Sequence, residues 1–143
     1  MTKAPGASLA SLNAVSASAT AHSFEYIGAD GAGTGIMLQV LGAQAQIVTE
    51  ATNRLINERR RQEAVRTIEA GASRPGDAIV PVEDDIAFGQ RLAAIRLVGW
   101  DGIEDDWTAD NALTLCQTNA DVSSQVLAQS NKVGNFTRAS RKG

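Results

Sequence analysis

The stretch from Ala43 to Ala70 contains neither glycine nor proline, and this constrains the fold more than any other part of the chain. Ile47, Val48, Ala51, Leu55 and Ile56 recur at helical spacing, and Val65 and Ile68 resume the pattern after a polar interval. The spacing predicts one long helix over about residues 43–70. Arg59, Arg60 and Arg61 fill the polar interval, with Glu58 and Glu63 beside them. A run of arginines can bind phosphate, but the flanking glutamates favour a solvated helix face. A charged contact with an assembly partner through these arginines stays open.

Ahead of the helix, Phe24 to Ile27 and Ile36 to Leu41 are apolar or alternating segments that enclose the turn signal Asp30-Gly31. They predict a β-hairpin over about residues 23–41. Glycines at 28, 31, 33 and 35 invite comparison with phosphate-cradling loops. A Walker loop ends in Gly-Lys-Ser/Thr, and a dinucleotide fingerprint runs from a strand into a helix, whereas this loop runs into a second strand. Before the hairpin, residues 1–22 are mostly alanine, serine, threonine and glycine, and the expectation is a flexible arm. The spacing of Leu9, Leu12 and Val15 allows a short helix against a partner.

After the long helix, Gly71, Pro75, Gly76 and Pro81 mark a loop. Asp84 or Asp85 is then expected to cap a helix over about residues 85–98, kept thin by Ala87, Gly89, Ala93 and Ala94. Thr108 suits the N-cap of a helix over 108–117, and Asp121 that of a helix over 121–133. Val122, Val126 and Val133 give this last helix one apolar face ending near Phe136, and residues 137–143 form a basic tail. The expectation is an α+β fold: an arm, one β-hairpin and a mostly helical body of about four helices, forming one domain over residues 23–136.

Composition narrows the function by exclusion. The chain has 143 residues with 43% apolar, 20% charged and 4% aromatic, so any core rests on small side chains. A net charge of −3 gives no general footprint for nucleic acid or an anionic membrane. No apolar run of about 18 residues suggests a transmembrane helix, and the stretch after Lys3 lacks a secretory apolar core. The expectation is a protein made and kept in a cytoplasm. Cys116, the only cysteine, cannot form an intrachain disulfide, and His22 lies far from it in sequence. No cofactor or metal is expected, because structural zinc needs four ligands from one constellation.

The densest chemistry lies between Gly99 and Asp110, where Asp101, Glu104, Asp105 and Asp106 surround Trp100 and Trp107. A calcium loop needs alternating ligands, a central glycine and a terminal glutamate, an order these residues lack. The preferred reading is an exposed acidic turn whose tryptophans anchor a helix junction in the core. Cys116 shares an apolar face with Ala112 and Leu113, has no base nearby in sequence, and reads as a buried thiol. No serine nucleophile elbow occurs, and a non-enzyme is expected.

The segment Gly99-Trp100-Asp101-Gly102-Ile103-Glu104-Asp105, followed by Trp107-Thr108-Ala109-Asp110-Asn111-Ala112-Leu113 and the closing Asn135-Phe136, resembles tail assembly chaperones of long-tailed bacteriophages. In those small proteins a Trp-x-Gly-hydrophobic-acidic turn often precedes a polar-capped helix and then a helix ending near an aromatic. The resemblance covers about residues 91–136, with a weaker echo at Gly33-Thr34-Gly35-Ile36. It implies a non-enzymatic task in the bacterial host cytoplasm: binding the tape-measure protein while tail-tube subunits polymerise around it. Such chaperones are often missing from the finished virion. The alanine- and serine-rich arm departs from that plan and looks more like the embracing arm of a structural subunit. The second expectation is therefore a stoichiometric capsid- or tail-associated virion protein whose arm is ordered by its neighbours. Trp100, Asp101, Trp107 and Phe136 are the expected partner contacts, with Arg59, Arg60 and Arg61 as a charged contact. Pairing of the acidic turn with arginines of another subunit makes a homo-oligomer compatible with either expectation.

Overall fold

A computed structural model describes residues 8–10, 12–71 and 81–137; the rest of the expected arm, most of the loop after Gly71 and nearly all of the basic tail lie outside the described residues. The hairpin forms as its residues dictate. Strands β1 (His22–Ile27) and β2 (Gly33–Val40) pair antiparallel, with Phe24 opposite Leu38 and His22 opposite Val40. Gly31 takes a φ of +81°, and the Asp30 carboxylate accepts a hydrogen bond from the Ala32 N–H at 3.0 Å, which closes the connection. Alternation sends Phe24, Leu38 and Val40 to the core and leaves Ser23 and Glu25 exposed.

The chain is α+β, but its sheet has a third strand. The helix expected to reach residue 98 ends at Arg96, and β3 (Leu97–Asp101) pairs antiparallel with β2 in the order β1-β2-β3. Leu97 is already extended at φ −83°, ψ 109°, and the Arg96 carbonyl accepts from the Leu41 N–H at 2.9 Å. No glycine or proline marks this switch from helix to strand. It is fixed by pairing with residues some sixty positions away, as Trp100 opposite Leu38 illustrates.

Helix α1 (Ala14–Ala17) is a single turn within the expected arm. Ser18, which follows it, is 1% exposed, and its carbonyl accepts from the Gly42 N–H at 2.9 Å, so this part of the arm is folded onto the domain. Helix α2 (Gln46–Glu69) lies within the predicted long helix. Helix α3 (Val82–Arg96) starts earlier than expected, with Pro81 rather than Asp84 or Asp85 at its N-cap. Proline is preset in φ and its missing N–H costs nothing at a helix start, while Glu83, Asp84 and Asp85 occupy the first turn, where the helix dipole favours carboxylates.

Helix α4 (Ala109–Thr118) is capped by Thr108 as expected, its hydroxyl accepting from the Asn111 N–H at 3.0 Å. Helix α5 (Ala120–Asn131) is capped not by Asp121 but by Asn119, which also ends α4 and accepts from the Val122 N–H at 3.1 Å. The Asn119 amide also donates to the Tyr26 hydroxyl, which ties this corner to the sheet. A final turn, α6 (Gly134–Thr137), follows. The sheet and helices α3 to α6 enclose one core containing Phe24, Leu38, Val40, Ala93, Leu97, Ala112, Cys116, Val122, Val126 and Phe136. Small residues on α3 and α4 let these helices approach closely. Among the described residues, no helix is long and apolar enough to cross a membrane.

Candidate functional site

The turn after β3 is built by two indoles and one glycine. Trp100 is half-buried against the core, and its Nε1–H donates to the Asp105 carbonyl at 2.8 Å, which folds the loop back on the strand. Gly102 adopts φ +88°, and a Cβ there would meet the Gly35 carbonyl oxygen at 3.1 Å and the Ile36 Cα at 3.3 Å. The positive φ favours glycine, and the close backbone leaves little room for a side chain. The Trp107 Nε1–H donates to the Leu97 carbonyl at 3.1 Å, and the Asn111 amide donates to the Asp106 carbonyl at 2.9 Å. Thus both tryptophans anchor the turn through their N–H groups, while Asp101, Glu104, Asp105 and Asp106 are exposed around it. Trp107 keeps 37% of its surface exposed and is the aromatic of this turn most available to a partner.

The other expected contacts separate. Phe136 is 5% exposed and lies edge-on to His22 at 5.9 Å, so it belongs to the core and not to a surface. It closes an apolar face that had to end against something, and the N-terminal residues fill that role. Arg59 is engaged within the chain: it pairs with Asp85, lies 3.5 Å from Glu63, and places its guanidinium 4.7 Å from the Phe88 ring centroid. Arg66 pairs with Asp84, and Arg91 with Glu58 at 3.6 Å, so α2 and α3 are joined by a ladder of ion pairs. Arg60 and Arg61 are exposed and make no ion pair among the described residues.

An exposed helix groove is what the chaperone resemblance implies, but its residues do not stand out in the sequence. Ala51 and Leu55 of α2, Ala94 and Ile95 of α3, and Ala109 and Leu113 of α4 line an open groove of about 380 Å³. Arg54, Glu58, Arg91 and Asp110 add charged side chains to its lining. The sequence signal is faint: Ala51/Leu55 and Ala109/Leu113 are four-residue pairs on the shoulders of their helices, beside the fully buried positions Val48, Ala112 and Cys116. The groove runs between three helices and is lined by these apolar side chains together with the four charged ones.

Chemistry elsewhere is sparse. Cys116 is buried, and burial pushes its thiol above the ordinary range. Ser123 donates to the Cys116 carbonyl at 2.7 Å. Burial also lowers the Arg96 guanidinium, which donates to the Leu92 carbonyl at 2.6 Å. Among the described residues, no group of three or more histidine, cysteine or acidic side chains is arranged to hold a metal ion. In comparisons with known proteins, no family model, no curated protein and no solved structure matches this chain.

Proposed function

We propose that this chain is a non-enzymatic morphogenesis protein of long-tailed bacteriophages, a tail assembly chaperone that holds a helical segment of the tape-measure protein in the host cytoplasm while tail-tube subunits assemble. The observation that carries the reading is the groove between α2, α3 and α4. It combines apolar side chains from three helices with charged ones, a lining suited to one face of an amphipathic helix. The resemblance through Gly99 to Leu113 supports the same reading, because the turn it covers leads directly into the α4 wall of the groove. Exposed Trp107 extends the apolar surface on that turn.

Co-expression with the tape-measure protein of the source phage tests this. The chaperone keeps the tape-measure protein in the supernatant and co-purifies with it, and Leu113→Glu in the groove abolishes both. Mass spectrometry of mature particles supplies the second arm. Absence of the chain from particles, with abundance in infected cells, agrees with a chaperone; a fixed high copy number in particles overturns it in favour of a structural virion subunit.

A further inference from the structure

We infer that the groove takes an amphipathic helix with acidic residues along one edge of its apolar stripe and basic residues along the other, and that Arg54 and Asp110 set the direction in which that helix runs. The inference rests on the reading of the groove as the client site and adds the client's chemistry and polarity. Arg54 stands on α2 and Asp110 on α4, and both are exposed. Neither makes an ion pair among the described residues, whereas the other two charges of the lining, Glu58 and Arg91, neutralise each other at 3.6 Å. The groove therefore presents one charge of each sign without an ion-pair partner among the described residues, one on α2 and the other on α4. Ala51, Ala94 and Ala109 leave the depth to the client, whose large side chains fill it.

Direction follows from geometry. Turning a helix end for end, with its apolar stripe kept in the groove, exchanges its left and right edges. Only one direction then sets the acidic edge on Arg54 and the basic edge on Asp110. The opposite direction places like charges together at both residues, and the penalty is electrostatic and salt-sensitive.

The test uses the full chain and synthetic amphipathic helices of about 20 residues, long enough to be helical when bound. They share one apolar stripe and differ in their edges: acidic and basic, both acidic, or both basic. Fluorescence anisotropy at low salt is expected to give the mixed peptide about fivefold tighter binding than either of the others, a gap that closes in high salt. Asp110→Arg shifts the preference to the doubly acidic peptide, and Arg54→Glu shifts it to the doubly basic one. A nitroxide at the N-terminus of the mixed peptide broadens amide resonances at one end of the groove, near Ala51 or near Glu58. In the double variant R54E/D110R the broadening moves to the other end. Equal binding of all three peptides, or broadening that stays in place in the double variant, overturns the inference while leaving the client reading intact. A dimer in sedimentation that dissociates on Leu113→Glu, with no peptide bound, assigns the groove to a second copy and overturns both.

Discussion

Helix α2 and the sheet-backed half of the chain are held by different forces. Beneath the sheet, Leu38, Val40, Leu97, Ala112, Cys116 and Val126 are fully buried, and removal of apolar surface from water provides the stabilisation. On α2, only Val48 and Thr67 are buried, although the helix runs from Gln46 to Glu69. Its contact with α3 is drawn largely from Arg59 with Asp85, Arg66 with Asp84 and Arg91 with Glu58, all partly exposed to water. Meanwhile Ile47, Val65 and Ile68 face solvent. Apolar groups in such places add little to folding. This half leaves more apolar surface outside the core, and the other half keeps most of its large apolar groups inside it.

The strongest way to break the comparison is to damage the sheet. Leu38→Ala empties a fully buried position at the centre of β2 and is expected to cost about 2–5 kcal/mol by denaturant titration. Cys116 offers an independent readout, since its buried thiol should react with a maleimide only when the core opens. A loss below 1 kcal/mol would mean that the two halves are not so different.

Next in size is the turn. Gly102→Ala combines a left-handed φ with a tight backbone contact, and should cost about 1–3 kcal/mol while leaving the secondary structure in place. Gly31→Ala shares the positive φ but has open space around it, so it should cost less. Comparing the two melting curves separates conformational strain from steric contact.

What could be read from the sequence follows the same division. The hairpin was legible because Asp30-Gly31 and its flanks are local signals, and α2 was legible because nothing interrupts it. Strand β3 was not, because Leu97 to Asp101 become a strand only by pairing with β2. Asn119 was passed over for Asp121 because its double role, ending α4 and starting α5, depends on a helix-to-helix corner that needs both helices in place. The exposed acidic turn was readable from Asp101 to Asp106, but of its two tryptophans only Trp100 packs against the core, since Trp107 keeps 37% of its surface exposed and the junction joins a strand to a helix. The groove was not, since its walls come from three helices and no single segment carries its pattern. The arginine run gave only its exposure; which carboxylate Arg59 would meet was decided by the return of the chain through α3.

The ion-pair ladder provides a smaller effect. Asp84→Asn with Asp85→Asn removes two cross-helix pairs and two carboxylates from the first turn of α3. Each pair is exposed enough that about 0.2–1 kcal/mol is the expected contribution. Hydrogen exchange should rise along α2 and the start of α3 and stay unchanged in the sheet. Raising the salt concentration should shrink the difference between wild type and variant, because screening weakens the same pairs. An equal rise in the sheet would show that the two halves unfold together.

The smallest effect sharpens the comparison most. Ile68 is 78% exposed near the end of α2, so Ile68→Ser returns little apolar surface to water and trades one middling helix former for another. Stability should change by less than about 0.5 kcal/mol, in contrast to Leu38→Ala, although both remove a large aliphatic group. The exposed isoleucine then has no role in folding that a melting curve can detect. If the variant nevertheless weakens the proposed association with the tape-measure protein in co-purification, the proposed client surface extends along α2 beyond the groove. If association is unchanged, the proposed client surface does not reach Ile68, which is then simply an exposed apolar residue.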